Sequence, residues 1–494
     1  MMSEGRRMRS LAGQSMVYGL GGMIGRFAGF FLVPVYLHAA GAKAYGTVDL
    51  MLSAVLLASI MLRMGIVTTM SRFTLGEAAP DWRPVIHTIF TFVMAVATIG
   101  VVIGFLLRHE IGHLLQVHTS IVLAGLFGLW ISMNYDVMAR VYRIERRAAA
   151  WVRFTLLNVL LTTVLTLLLV LVFDQGALGL LVGNFTGTAL VYLAVAIARR
   201  RTIGVRHFDR PVLRDLLTYS LPLMPANIAL WALNLADRIQ VQRLAGHEEL
   251  GVYSVAARVA VPVLVLMGAF QTAWAPFAHD VRGQEGDEQA KRTYASVLSY
   301  WSIVMGWGLV AVTLTAPPYI GYAMPDNARS AIPVVGMLAG GTVLYGGYLI
   351  VNIGVTISKR TLMTPLICIV AAAVNLGLNF WAIPRWGIVG AGATTVIGYA
   401  LLLWLGWLNA ERSYPVPYQW SRVARVAAMV VAFMALSQWV IPDVGVLAVT
   451  VRLLLVAAFP LALIPIGALT RGDLRKGRGM VLSRFRRSAV EPAT

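Results

Sequence analysis

Charged side chains occur where the sequence is otherwise apolar. Within ALNLADRIQVQRLAG (232–246), Asp237 and Arg238 stand side by side in what we predict to be a membrane-spanning helix. Three further arginines also lie within long apolar stretches: Arg26, Arg63 and Arg258. A charge at the centre of a bilayer helix costs roughly 2.5–3.5 kcal/mol on insertion scales, so each must face water, a counter-charge or a ligand. Guanidinium groups form forked hydrogen bonds with phosphate, and these arginines therefore predict a cationic cavity suited to a pyrophosphate.

A continuous polar face follows the helix that contains Asp237. It comprises Asn227, Trp231, Asn234, Arg238 and Gln242, whose spacing of four, three, four and four residues places them on one side. Asp237 lies about 100° around such a helix from Arg238, so we expect the two not to pair but to find partners elsewhere. The face suits a wet cavity, where amides bind hydroxyls and Trp231 stacks on a sugar. The alternative is a helix–helix contact with interhelical hydrogen bonds.

The three separate arginines also have structural alternatives. Arg63 and Arg258 each lie about two turns from the end of a predicted span, from which a long side chain can reach the membrane surface. Arg26 is too deep in its span for that, and its alternative is a structural ion pair. The cationic cavity is the interpretation that explains all three positions together.

Other polar and backbone signals are interpreted as structural. Asp136 and Arg140, four residues apart, predict a local ion pair. Asp49, which opens a predicted span, is interpreted as an ordinary charge at a helix N-terminus. Pro222 and Pro225 lack a backbone N–H, and they predict a bend near the start of the helix that contains Asp237.

The elements that must position these residues follow from composition. The 494 residues are 58% hydrophobic and 13% charged, with a mean hydropathy of +0.74, whereas soluble domains carry about 25% charged residues. Apolar stretches of spanning length, about 20 residues, recur at 12–37, 47–69, 85–107, 119–139, 151–173, 177–198, 216–242, 251–275, 294–315, 332–357, 362–383, 387–409, 423–441 and 445–469. We therefore predict an all-α membrane protein with about fourteen transmembrane helices.

The number of lysine and arginine residues alternates between high and low in successive gaps between these stretches. If the N-terminus is cytoplasmic, the inside gaps hold most of them, and the outside gaps hold only Lys43, Arg108, Arg243, Arg329 and Arg385. This is the positive-inside pattern, and it predicts that both termini are cytoplasmic. The net charge of +19 then reflects topology and contact with anionic membrane lipids, and we expect no nucleic-acid partner.

An internal repeat divides the chain. AGAKAYGTVDL (40–50) aligns without gaps on AGHEELGVYSV (245–255), at an offset of 205 residues. Six spans separate the copies, and because that number is even, both halves insert in the same direction. We predict two six-helix lobes related by a pseudo-two-fold axis along the membrane normal, with two C-terminal helices appended. The predicted boundaries are 1–198 and 215–410 for the lobes, 199–214 for a cytoplasmic linker, 411–470 for the appended helices and 471–494 for a basic tail.

Four stretches resemble the oligosaccharide and polysaccharide flippases. They are LLTYSLPLMPANIALWALNLADRIQVQRLAGHEELGVYSVAARVA (216–260), AFQTAWAPF (269–277), GFFLVPVYLHAAGAKAYGTVDL (29–50) and NLGLNFWAIPRWGIVGAGATT (375–395). That family belongs to the superfamily that also contains the MATE multidrug exporters and the lipid II flippases. The resemblance implies a MATE-like carrier in the bacterial cytoplasmic membrane. It would move a polyprenyl-pyrophosphate-linked oligosaccharide, the repeat unit of an O-antigen, capsule or exopolysaccharide, by alternating access.

The resemblance also implies what accompanies such a carrier. We expect a monomer that is not an enzyme and holds no cofactor, and the identity of any coupling ion is left open. The expected partners are the lipid-linked oligosaccharide, membrane lipids, and the polysaccharide polymerase and glycosyltransferases of the same pathway. No G-x-x-x-x-G-K-[ST] motif is present, so we do not expect the chain to hydrolyse ATP.

Two other classes of protein are alternatives. The first is a MATE-type, ion-coupled exporter of small cations, although a cationic cavity should repel such substrates. The second is a membrane zinc protease, because HEIGH (109–113) matches H-E-x-x-H, two histidines one turn apart with a general-base glutamate. That motif lies in a short gap between spans rather than within one, and no distant carboxylate ligand is apparent.

Overall fold

The computed structural model describes residues 4–67, 82–145, 147–199, 208–358, 363–440 and 443–470, together with Met70 and Gly472. Within these ranges, only the backbone is described for residues 4–24, 26, 143, 148, 223 and 438–440. The predicted linker at 199–214 and tail at 471–494 therefore fall largely outside the described residues. Throughout the described ranges the regular structure is helical, and they contain no strand.

The helices follow one another in chain order with short connections. They are α1 (Glu4–Arg63), α2 (Arg83–Leu106), α3 (Arg108–Leu115), α4 (Thr119–Ile144), α5 (Ala148–Leu167), α6 (Gly176–Ala198), α7 (Arg210–Ser220), α8 (Met224–Trp231), α9 (Asp237–Ala245), α10 (His247–Val259), α11 (Val261–Glu285), α12 (Asp287–Ala323), α13 (Ile332–Val351), α14 (Ile353–Ile357), α15 (Met363–Glu411), α16 (Trp420–Val440) and α17 (Val446–Ala462). Two π-helical segments, Leu168–Val172 and Ala232–Ala236, and two 3₁₀ turns, Leu221–Leu223 and Asp326–Ala331, interrupt the series.

The described helices account for the predicted spans. Ten are long and apolar enough to cross a membrane, or eleven if the bent pair Arg210–Ser220 and Met224–Ala245 forms one span, and Val446–Ala462 is a shorter apolar helix. Two of the ten contain a break, at Gly41 (φ 79°) and at Gly387 (φ 56°), a backbone region that residues with a side chain rarely adopt. Each break separates two predicted spans, so every predicted span overlaps one or more of the described helices. The protein is a multi-pass membrane protein.

The predicted bend near Pro222 and Pro225 is confirmed. The two helices around the 3₁₀ turn Leu221–Leu223 meet at 54°. Proline removes a backbone donor and so interrupts the α-helical hydrogen-bond ladder at this point. The π-helical segment Ala232–Ala236 then changes the register of the same span just before Asp237.

The described residues form two compact units. The first takes its residues from Met1–Val261, Met324–Val334 and Thr361–Leu402, and the second from Pro262–Ala323, Val335–Arg360 and Leu403–Thr494. The charged residues predicted from the sequence lie in the first unit. The lobe boundaries predicted from the repeat stay predictions.

In the first unit, the part of α1 that follows Gly41 packs against α10, and the contact joins equivalent positions of the repeat. A Cβ on Gly46 would lie 2.5 Å from the Gly251 nitrogen and 2.8 Å from the His247 carbonyl oxygen, and a Cβ on Gly251 would overlap the Ala42 carbonyl oxygen. Under the repeat offset of 205 residues, position 46 corresponds to 251 and position 42 corresponds to 247. The contact of 46 with 247 is therefore equivalent to the contact of 251 with 42. This reciprocity is the signature of a local two-fold relationship.

In the second unit, α12 packs against the two C-terminal helices. Trp307 donates its indole N–H to the Val456 carbonyl oxygen at 2.9 Å. Arg452, 1% exposed, donates to the Ser437 hydroxyl at 2.5 Å and lies 3.6 Å from an Asp443 carboxylate oxygen. This buried arginine therefore joins α16 and α17 and has a counter-charge within the same unit.

Candidate functional site

A buried carboxylate, Asp49, lies at the centre of a charge cluster in the first unit. It accepts hydrogen bonds from Arg238 Nε at 2.7 Å and from the Ser254 hydroxyl at 2.8 Å, and a guanidinium nitrogen of Arg258 lies 3.9 Å away. The interpretation of Asp49 as an ordinary helix-start charge is therefore wrong. It lies two turns beyond Gly41, where α1 packs on α10, and its three partners come from α9 and α10.

Asp237 and Arg238 do pair, contrary to the expectation from helical spacing. Arg238 Nη1 lies 3.1 Å from an Asp237 carboxylate oxygen and also donates to the Asn234 carbonyl oxygen at 3.1 Å. The two residues are neighbours at the start of α9, and the long arginine side chain folds back along the helix toward the Asn234 carbonyl oxygen, which brings its guanidinium to Asp237. Asp237 also accepts a hydrogen bond from the Tyr253 hydroxyl.

The four charges of this cluster balance one another. Asp49 and Asp237 carry two negative charges, and Arg238 and Arg258 carry two positive ones. Removing one partner of a buried pair typically destabilises by about 3–5 kcal/mol, because the other charge is left buried without compensation. Arg238 is buried between both carboxylates, whereas the Arg258 side chain is 38% exposed and its contact with Asp49 is the longer one, 3.9 Å. Arg258 is therefore the charge that remains available to a ligand.

Arg258 faces a polar cavity of about 370 Å³ within the first unit. The other walls come from α1, α5 and α6, and their polar groups include Tyr36, Tyr45, Thr155, Asn158, Thr162 and Asn184. Among the described lining residues there is no carboxylate. The cavity thus combines one guanidinium with hydroxyl and amide groups, a set that binds anions and neutral hydroxyls rather than cations.

Arg63 has a counter-charge of its own. Its Nη1 lies 2.5 Å from an Asp136 carboxylate oxygen, and its Nη2 donates to the Ser132 carbonyl oxygen at 3.2 Å. Arg140 Nε lies 3.6 Å from the same carboxylate, which confirms the predicted pair of Asp136 and Arg140. Arg63 does not line the cavity of Arg258. Arg63 and Asp136 therefore form an ion pair that joins α1 to α4.

The residues of the predicted polar face of the seventh span differ in burial and in hydrogen-bond partners. Trp231 is buried and donates its indole N–H to the Ser53 carbonyl oxygen at 3.2 Å, and buried Gln242 donates to the Gln116 side chain at 2.9 Å. Asn234 is exposed and donates to a carbonyl of its own helix, while Asn227 is partly buried. Trp231 and Gln242 thus make hydrogen bonds to other parts of the chain, as the alternative interpretation of this face expected. The register change at Ala232–Ala236 is the physical reason, because it rotates the residues on its two sides relative to each other.

The backbone of Arg26 lies in α1, and its side chain falls outside the described residues. Its predicted contact with substrate therefore stays a prediction.

Near one end of the cavity helices, Glu145 at the end of α4 binds Arg199, which follows α6. Arg199 Nη1 donates to the carboxylate at 2.7 Å, and Nη2 makes a second, parallel hydrogen bond. Burial alone would lower the pKa of Arg199, but these hydrogen bonds outweigh it and raise the pKa above its usual value. The forked pair holds α6 against α4 and so helps to position the cavity wall.

The sequence reasoning missed the polar residues of α5. Thr155, Asn158, Thr162 and Thr166 line the cavity. Their spacing of three, four and four residues within an apolar helix was a usable signal for a polar face.

The HEIGH motif lies in the short helix α3. His109 has the Thr119 hydroxyl at 3.5 Å as a neighbour. In the described part of the chain, no group of three or more His, Cys, Asp or Glu side chains is placed to hold a metal ion. The motif therefore has no third ligand among those residues.

The described residues thus form a helical, multi-pass membrane protein with a buried charge network beside a polar cavity. The chain belongs to the polysaccharide biosynthesis protein family, whose model matches residues 41–333. No protein with a curated function matches the chain.

Solved structures of similar fold are transporters and flippases of the MOP superfamily. The lipid II flippase MurJ in an inward closed conformation is 10% identical, with a TM-score of 0.69 over 91% of this chain and 98% of that one. An inward-facing multidrug resistance MATE transporter is 16% identical, with a TM-score of 0.66 over 84% and 99%. A MOP superfamily transporter from Pyrococcus furiosus is 15% identical, with a TM-score of 0.58 over 85% and 96%. At these identities the likeness establishes the fold, and the family match places the chain in polysaccharide biosynthesis.

Proposed function

We propose that the protein is a flippase that moves a polyprenyl-pyrophosphate-linked oligosaccharide across the cytoplasmic membrane by alternating access. The observation that carries the proposal is the position of Arg258, whose partly exposed guanidinium faces a cavity lined by hydroxyl and amide groups. Family membership supports a substrate from polysaccharide biosynthesis.

The chemistry of such a substrate corresponds to the cavity. A pyrophosphate offers only hydrogen-bond acceptors and negative charge, which a guanidinium binds through paired donors. A sugar offers hydroxyls, which bind to threonine and asparagine side chains. The polyprenyl chain can remain in lipid, so the protein needs to enclose only the polar head of the substrate.

A cation exporter is the alternative within transport, and the cavity argues against it. Arg258 would repel a cationic substrate, and the described lining residues offer no carboxylate to attract one. Both buried carboxylates nearby, Asp49 and Asp237, already have arginine partners.

The proposal includes topology and partners. Both termini would lie in the cytoplasm, where the glycosyltransferases that build the substrate work, and the polymerase that consumes it would act on the outer side. The driving force would be an ion gradient, the substrate gradient or consumption of the product. The chain itself would break no covalent bond.

Gene deletion tests the proposal directly. Cells without the gene should accumulate a lipid-linked glycan on the cytoplasmic face of the membrane, and the wild-type gene should reverse this. Arg258→Ala and Arg26→Ala should fail to reverse it while the proteins stay inserted and abundant, and Arg26→Lys should restore only part of the activity, because a point charge replaces a fork.

Arg329→Ala provides the matched control. Arg329 is half-exposed and pairs locally with Asp326, so its removal should leave transport unchanged. Absence of any accumulated lipid-linked glycan in the deletion strain would show that the proposed substrate is wrong. Full transport by the double variant Arg26→Ala/Arg258→Ala would exclude the cationic site.

A further inference from the structure

Helix α5 carries a polar stripe on an otherwise apolar surface. We define the α5 stripe as Thr155, Asn158, Thr162 and Thr166, all of which line the cavity that Arg258 faces. Other faces of the helix expose large apolar side chains, among them Leu156, Leu157, Leu160 and Val164. Exposed apolar residues on a membrane helix face lipid, so α5 separates lipid on one side from a polar cavity on the other.

The hydrogen bonds of the stripe give it a defined polarity. The Thr155 hydroxyl donates to the Trp151 carbonyl oxygen at 3.0 Å, and the Thr162 hydroxyl donates to the Asn158 carbonyl oxygen at 2.8 Å. The Asn158 amide donates to the Thr188 hydroxyl at 3.1 Å. Because these protons are committed within the protein, the side-chain oxygens of Thr155, Asn158 and Thr162 offer lone pairs to the cavity.

Arg258 has the opposite polarity. A guanidinium has donors only, whereas the stripe presents mainly acceptors. A phosphate, which has only acceptors at neutral pH, is matched by Arg258 and not by the stripe. A sugar hydroxyl has a proton to donate, and it is matched by the stripe. One cavity therefore holds a donor group for an anion and an acceptor surface for hydroxyls.

We propose that the α5 stripe determines glycan specificity by binding hydroxyls of the sugar that is attached directly to the diphosphate. This inference rests on the proposed function, in which Arg258 binds the diphosphate. A cavity of about 370 Å³ lies near the lower end of the ~300–1,000 Å³ range of ligand sites. It accommodates the junction of sugar and diphosphate rather than a complete repeat unit, so the first sugar is the part that the stripe recognises.

Binding to purified full-length protein in lipid nanodiscs tests the inference. The probes are farnesyl diphosphate and three farnesyl diphosphates that carry one sugar, N-acetylglucosamine, galactose or glucose. The wild type should bind at least one sugar probe more tightly than the bare probe. Asn158→Leu and Thr162→Val should each weaken that probe by about 3- to 10-fold, the effect of one lost hydrogen bond, and leave the bare probe unchanged.

Thr315→Val is the matched control. The Thr315 hydroxyl also donates to a carbonyl oxygen of its own helix, that of Ala311 at 2.7 Å, but Thr315 lies outside the cavity. It should change the affinity of no probe. Thermal unfolding of each variant shows whether the fold is retained, and Thr155→Val, which removes a hydroxyl of the stripe without adding a charge, replaces Asn158→Leu if that variant fails to fold.

The outcomes separate this inference from the proposed function. If the stripe variants bind all probes as the wild type does, or weaken the bare and sugar probes equally, the stripe does not determine specificity. If Arg258→Ala leaves the bare probe unaffected while the stripe variants still weaken the sugar probe, the diphosphate role of Arg258 is wrong and the stripe is supported. Failure of the wild type to bind any probe overturns both.

Discussion

Ser254 donates its hydroxyl to Asp49 at 2.8 Å, and the two residues occupy equivalent positions of the repeat, 205 residues apart. Gly46 and Gly251, which are also equivalent, lie against each other one turn away. Because both contacts have the same offset, the part of α1 after Gly41 and α10 run in the same direction. This agrees with the direction expected from the even number of spans between the copies. The repeat has diverged at the point of contact, where a carboxylate in one copy faces a hydroxyl in the other.

The contact between the equivalent glycines predicts a large effect of a single methyl group. Gly251→Ala should lower the free energy of unfolding by about 1–3 kcal/mol or more, since the new Cβ would overlap the Ala42 carbonyl oxygen and backbone atoms cannot easily move. Gly377→Ala is the control, because Gly377 is helical, exposed and has open space around it. Thermal unfolding in detergent measures both, and equal stability of the two variants would contradict the close packing.

The charge cluster predicts that its central carboxylate is structural. Asp49→Asn leaves Arg238 with Asp237 as its remaining counter-charge, and we expect a loss of stability that approaches the about 3–5 kcal/mol typical of a broken buried pair. Asp326→Asn removes an exposed pair and should cost about 0–1 kcal/mol. Chemical or thermal unfolding of the purified variants measures the difference. An Asp49→Asn variant as stable as Asp326→Asn would show that the cluster contributes little to the fold.

The ion pair of Arg63 and Asp136 can be separated from a role in substrate binding by a double-mutant cycle. We expect a coupling of about 0.5–3 kcal/mol between Arg63→Met and Asp136→Leu in unfolding experiments, because the two side chains are in contact. The double variant should also recover transport relative to Arg63→Met alone. If Arg63→Met abolished transport with unchanged stability, and the second substitution restored nothing, Arg63 would be assigned to the substrate instead.

Reporter fusions test the predicted topology. Fusions after Lys43, Ala245 and Asp443 should show activity only of a reporter that functions outside the cytoplasm, and fusions at both termini only of one that functions inside it. The physical reason is the retention of lysine- and arginine-rich gaps on the cytoplasmic side. An inside result at Asp443 would remove the two C-terminal helices from the predicted arrangement.

The sequence by itself determined the class of the protein and the positions of its spans. Apolar stretches of about 20 residues can satisfy their backbone groups in a membrane only as helices or closed barrels, so hydropathy is sufficient to locate them. The repeat at 40–50 and 245–255 likewise predicted that its two copies run in one direction, because parity depends only on the number of spans.

Tertiary structure alone decided the partners of the charges and the location of the polar cavity. Asp49 lies 189 residues from Arg238, and Asp136 lies 73 from Arg63, distances along the chain over which spacing carries no information. The pairing of Asp237 with Arg238 depends on the arginine side chain folding back along its helix toward the Asn234 carbonyl oxygen, a side-chain conformation that helical spacing does not show. Helical spacing shows that α5 has a polar face, but only the packing of α1, α5, α6 and α10 shows that this face meets Arg258 in one cavity.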